Sequence, residues 1–221
     1  MRSEQVHVPC GRVTLEGALE LPAAPAGVVA FAHGSGSGRH SPRNQFVAGT
    51  LREAGLGTLL IDLLTPEEDQ DYERRFDIAL LTERLTGAVQ FLRGRDRTRS
   101  LPLGLFGAST GAACALRAAA AMPETVRAVV SRGGRPDLTG ERLLAKVRAP
   151  TLLLVGGLDY GVIELNQGAR DALVACERRL TIVPGATHLF EEPGTLEEVA
   201  RLAAGWFVRH LARTPAGRDD A

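Results

Sequence analysis

The stretch Leu101–Ala120, LPLGLFGASTGAACALRAAA, passes from an apolar run through a glycine-bracketed serine into an alanine-rich segment. Leu101–Phe106 predicts a strand buried on both faces, because its apolar residues follow one another without alternation. The alanine-rich part predicts a helix to about Met122, where Pro123 stops it. Between the two, Gly107-Ala108-Ser109-Thr110-Gly111 fits G-x-S-x-G in the strand-to-helix setting that gives this pattern its meaning. A turn that tight brings backbone against backbone, so small residues must flank the centre. The bend lifts the serine hydroxyl over the sheet edge, with a helix N-terminus behind it to favour negative charge. Ser109 is the candidate nucleophile, and Cys114, inside the following helix, reads as a packing residue.

A serine hydroxyl needs a base, and the base an orienting acid. TLLLVGGLDYG places Asp159 just past a buried strand, and LTIVPGATHLF places His188 in the loop after the next one. Serine, acid and histidine follow one another in that order at three strand ends. Asp137, in the loop after VRAVVS, is the rival acid, and Asp62 ends another strand on the same edge. An oxyanion hole would take the Thr110 N–H and a second amide from HGSGSGRH, for which Ser35 between Gly34 and Gly36 is favoured. Gly34 would then line the substrate position, and His33 would shape the loop by hydrogen bonding. His7, His40 and His210 read as surface or strand-end residues. GSGSG lacks the spacing of G-x-G-x-x-G and no G-x-x-x-x-G-K-[ST] occurs, which argues against a nucleotide site.

The rest of the chain alternates in the same way. VHVP and RVTLEGALEL flank a Pro-Cys-Gly turn and predict an antiparallel hairpin. GVVAFAH, LGTLLID, VRAVVS, PTLLLVGG and RRLTIVPG predict further strands. A helix should run from Ser41-Pro42 to Gly55. Another should place Phe76, Leu80, Ala88 and Leu92 on or near one face with Leu85 between them, closing at Gly94. TLEEVARLAAGWFVRHL predicts the last helix, with Thr195 as cap and Glu198 completing a capping box. Alternating strands and helices imply a mostly parallel sheet covered on both faces. Residues 1–221 are expected to form one domain, with 212–221 as a frayed tail.

Composition narrows the function. The 221 residues carry 26 basic and 26 acidic side chains, so zero net charge gives no reason to expect nucleic acid or an anionic membrane as partner. Three distant cysteines without C-x-x-C spacing argue against disulfides and a zinc site. No signal peptide or membrane span is visible, and a cytoplasmic location is expected.

FAHGSGSGRHSPRN, GASTGAA, SRGGRPDL, PTLLLVGGLD and VPGATHLFEEPG resemble the α/β-hydrolase superfamily over about residues 6 to 211. They are most similar to the small, lidless dienelactone-hydrolase-like branch, including hydrolase domains found beside or fused to phosphoribosyltransferase-like domains in bacteria. The resemblance implies an eight-stranded, mostly parallel sheet with helices on both faces. It carries over Ser109, Asp159 and His188 as triad and Ser35 and Thr110 as oxyanion donors. Dienelactone hydrolases proper use a cysteine nucleophile, so Ser109 puts dienelactone itself in doubt as substrate.

The expected activity is hydrolysis of a small carboxylic ester through an acyl-enzyme, without metal or organic cofactor, by a monomer or homodimer. Acyl or thioester transfer with the same triad, or an idle module that serves as a binding partner, are the alternatives. About twenty residues separate VRAVVS from PTLLLV, too few for a large lid, which favours small esters. Arg39, Arg43, Arg132 and Arg135 fall on the strand-end side, where open α/β sheets bind ligands. They either grip an anionic substrate or pair with acids such as Asp62 and Asp137.

Overall fold

The structure, a computed structural model, describes residues 2–211. The expected frayed tail lies outside the described residues. One eight-stranded sheet organises the chain: β1 (Arg2–Cys10), β2 (Val13–Leu21), β3 (Val28–Ala32), β4 (Gly57–Ile61), β5 (Leu103–Ala108), β6 (Val126–Arg132), β7 (Thr151–Gly156) and β8 (Arg178–Val183). The strand order is β1-β2-β4-β3-β5-β6-β7-β8. The β1–β2 and β2–β4 pairs are antiparallel, and every pair from β4 across to β8 is parallel.

Helices cover both faces because the central strands are apolar on both. Val28, Ala30 and Ala32 of β3 enter one core, together with Leu85, Leu92 and Leu116. Val29 and Phe31 enter the other, with Val47, Leu51 and Phe207. The first core lies under α2 (Ile78–Gly94) and α3 (Thr110–Ala121), the second under α1 (Pro42–Glu53) and α6 (Thr195–Leu211). Between β6 and β7 there is only a 3-10 turn, Pro136–Thr139, and the one-turn α4, Glu141–Leu144, so no lid is inserted at that connection. No described helix is long and apolar enough to cross a membrane.

Two local expectations are corrected, and one helix stands where the sequence reading places none. Phe76 precedes α2 and stays 44% exposed; the helix starts at Ile78, capped by Asp77, whose carboxylate accepts the Leu80 N–H. Its buried face is Leu81, Leu85, Ala88, Val89 and Leu92. The capping box of α6 is not formed. Thr195 lies inside the helix and donates its hydroxyl to Glu192 O, while Glu198 pairs with Arg201 at 2.7 Å. Finally, α5 (Tyr160–Ala172) stands between β7 and β8, where only Asn166 and Ala169 are buried.

Candidate active site

Ser109 sits at φ 51 and ψ −122, between the end of β5 and the first turn of α3. Such a conformation costs an ordinary residue on the order of 1–3 kcal/mol and persists only where the surroundings enforce it. Here the flanking glycines do so. A Cβ on Gly107 would stand 2.5 Å from Ala112 Cα, and one on Gly111 would stand 2.2 Å from Ala32 O. Both are backbone atoms with nowhere to move. The Ser109 N–H donates to Arg132 O at 3.1 Å, and Ser109 O accepts from the Arg135 N–H at 3.0 Å. The bend is thereby tied to the end of β6.

The His188 ring is set by a carboxylate and by a close backbone approach. Its Nδ1 lies 2.6 Å from Asp159 Oδ2. A carboxylate accepts only, so Nδ1 carries the hydrogen and Nε2 keeps a free lone pair. Asp159 is the N-cap residue of α5, in the short turn after β7, and its side chain is largely sheltered, whereas His188 is 38% exposed. A Cβ on Gly133 would lie 3.0 Å from His188 O and 3.6 Å from its Cε1, so the ring stands over the turn that follows β6. A Cβ on Gly156 would lie 2.4 Å from Ala186 O, which holds the same loop against the end of β7. Glu192 fastens the loop from the other side: it accepts the Thr187 N–H at 3.0 Å and the Thr187 hydroxyl at 2.6 Å. Those bonds hold its carboxyl below the usual range. The close approaches at Gly133 and Gly156 and the Glu192 bonds are absent from the sequence reading, since each joins residues far apart or of common type.

The structure therefore brings Ser109, Asp159 and His188 to one edge of the sheet. Asp137 goes elsewhere, in a two-pronged bond with Arg135 at 2.9 and 2.7 Å. Gly34 lies against the serine, where an added Cβ would be 3.0 Å from Ser109 Cβ. The Ser35 N–H donates to Thr110 Oγ1 at 3.1 Å, which aims that amide at the residue after the serine. The Thr110 N–H belongs to the first turn of α3 and has no intrahelical acceptor. His33 orders the loop from beneath: Nε2 accepts the Leu63 N–H at 3.0 Å, so Nδ1–H donates to Gly34 O at 2.9 Å. Burial pushes the His33 pKa down and keeps the ring neutral. Cys114 is buried, and burial pushes its thiol up to about 12, which leaves it unreactive at neutral pH.

The arginines divide. Arg39 is bound to Asp62 and Glu16, and Arg135 to Asp137. Arg43 pairs with Glu191 at 3.1 Å. Arg132 alone of the four forms no ion pair or side-chain hydrogen bond among the described residues, although it is only 7% exposed. No cluster of three or more potential metal ligands occurs among the described residues.

Comparison with known proteins places this architecture. No family model matches the chain. A dienelactone hydrolase from Anabaena variabilis is 54% identical, with a TM-score of 0.92 over 95% of this chain and 98% of that one. Est1E from Butyrivibrio proteoclasticus shares the fold at 17% identity and a TM-score of 0.80, over 95% of this chain and 99% of that one. A putative phosphoribosyl transferase of Mycobacterium tuberculosis is 57% identical over 211 residues, covering 96% of this chain but 47% of that protein. The chain thus spans about half the length of the curated relatives it matches. With a lidless eight-stranded sheet, a serine at its sharpest bend and a near-full-length relative at 54% identity, the chain belongs to the dienelactone-hydrolase-like α/β-hydrolases.

Proposed function

We propose that the chain hydrolyses small carboxylic esters through an acyl-enzyme formed on Ser109. The observation that carries this reading is the 2.6 Å contact between His188 Nδ1 and Asp159, made over the turn to which the Ser109 bend is tied. In the neutral ring that bond leaves His188 Nε2 without a proton, on the same strand-end side of the sheet as Ser109.

The steps follow from these groups. His188 Nε2 accepts the Ser109 hydroxyl proton as Oγ bonds to the ester carbonyl carbon. The tetrahedral oxyanion takes the Thr110 N–H and the Ser35 N–H, the latter exchanged from Thr110 Oγ1. In comparable sites one such donor is worth roughly 3–4 kcal/mol. The carbon–oxygen bond to the alcohol then breaks, and the alcohol leaves with the proton from His188. Water repeats the sequence on the acyl-enzyme, releasing the acid and restoring Ser109. Asp159 holds the ring orientation and stabilises its charged form. The exposed His188 and the short β6–β7 connection support a small, open acyl site.

A fluorophosphonate probe followed by peptide mapping tests the nucleophile, because only an activated serine reacts. The label should fall on Ser109, and p-nitrophenyl esters should be cleaved with rates that decline as the acyl chain lengthens. Absence of label on folded protein would remove Ser109 from the reaction.

A further inference from the structure

Arg132 is the last residue of β6, paired in register with Ala108 on one side and Leu154 on the other. Both neighbours belong to the core under α1 and α6, so the Arg132 side chain enters that face of the sheet. Its Nε and Nη1 are fully buried and find no acceptor among the described residues. Unpaired burial is costly for a guanidinium, because it gives up its water for nothing in return. Burial and the neighbouring Arg43 charge together push the Arg132 pKa down to about 10.

The surroundings are positive. Arg43 stands in the first turn of α1, and its own Nε is also buried without a partner. That first turn contains no acidic residue to balance the helix dipole. The third wall is the turn after His188: a Cβ on Gly133, next to Arg132, would lie 3.5 Å from the Phe190 ring. Glu191, which follows Phe190, is 62% exposed and pairs with Arg43 alone. Two guanidinium groups and a helix N-terminus therefore converge beside the catalytic loop, and among the described residues no carboxylate reaches the inner one.

We propose that Arg132, with Arg43 and the N-terminal end of α1, forms a binding site for an oxyanion group, a carboxylate or a phosphate, beside the Ser109 centre. The planar fork of Arg132 suits either group in a two-pronged contact. The group belongs either to the ester substrate itself or to a free anion that braces the His188 turn. Only the first source rests on the ester-hydrolase reading above.

Thermal unfolding of the purified chain is followed with inorganic phosphate and with succinate, against sodium chloride at equal ionic strength. A saturable rise in Tm is expected, with the apparent Kd weakened at least tenfold in Arg132→Gln. Arg43→Gln, at the outer end of the site, carries the same test where Arg132→Gln does not fold. In parallel, kcat/KM is measured for p-nitrophenyl hemisuccinate and for neutral p-nitrophenyl valerate. If the substrate carries the oxyanion, the charged-to-neutral ratio drops at least tenfold in Arg132→Gln, and phosphate competes with hemisuccinate. If a free anion is the ligand, phosphate binds through Arg132, the ratio does not change, and phosphate does not compete. No saturable shift in wild type, together with a ratio indifferent to Arg132, overturns the proposal even where the fluorophosphonate labels Ser109. Phosphate binding through Arg132 without that label leaves this site standing and refutes the ester-hydrolase reading instead.

Discussion

At the Ser109 bend, the positions that must stay small lie within five consecutive residues, whereas the His188 turn is held by residues scattered over the chain. Gly107 and Gly111 face backbone atoms at 2.5 and 2.2 Å, and no larger residue fits at either place. His188 depends on Asp159, on the narrow approaches at Gly133 and Gly156, and on Glu192 bonded to Thr187. A steric device of the first kind is nearly all-or-none, because packed backbone does not yield by halves. A distributed device of the second kind loosens by degrees. Damage at the bend should appear in folding, and damage at the turn in activity.

That contrast is breakable by mutation. Gly111→Ala drives a Cβ into Ala32 O and should cost at least about 3 kcal/mol, at the upper end of overpacking, or prevent folding altogether. Urea unfolding measures it, and a stable Gly111→Ala protein would end the claim of an enforced bend. Ser109→Ala keeps the backbone and removes only the hydroxyl. It should retain its Tm while the esterase rate falls on the order of 10⁴-fold or more.

At the turn, Asp159→Asn should lower kcat by roughly 10²–10⁴ by leaving the wrong histidine tautomer, with the fold intact. Asp137→Asn, which loosens only the bond to Arg135, should cost much less. The reverse ranking would move the orienting role to the earlier strand. At the turn itself the milder change is Gly133→Ala. Its φ of 50 and the 3.0 Å approach to His188 O require a small displacement of the ring. A shift of about 1 Å in a catalytic group costs on the order of 10² in rate. Stopped-flow and steady-state rates on one ester, with Tm alongside, would show whether activity falls before stability does. A Gly133→Ala protein that unfolds while keeping its rate until it does so would erase the distinction between the two regions.

Legibility along the chain follows the same division. The bend is readable because its constraint is local, with two glycines around one serine between an apolar run and an alanine-rich one. Strands β3 to β7 are readable because burial on both faces leaves uninterrupted apolar runs. The start of α2 is misread at Phe76 because an exposed aromatic imitates a core position, and Asp77 supplies the cap instead. The Thr195–Glu198 box is misread because Glu198 has a nearer partner in Arg201. Helix α5 passes unread because Asn166, one of its two buried residues, is polar and is held by bonds to Gly134 O and Val162 O.

The sequence by itself determined the alternating layers, the strained serine bend and the strand ends at which Asp159 and His188 stand. Each of those depends on the φ/ψ preferences and apolar period of neighbouring residues, and neighbours are what a sequence records. Tertiary structure alone decided that Asp137 is taken up by Arg135, that the Ser35 amide reaches Thr110 Oγ1, and that Arg39 and Arg135 are neutralised while Arg132 is not. Those outcomes turn on a few ångströms between side chains that the fold brings together from distant strands. Coulomb and hydrogen-bond energies fall off within that distance, so the same charged residues acquire opposite roles according to which neighbour packing delivers.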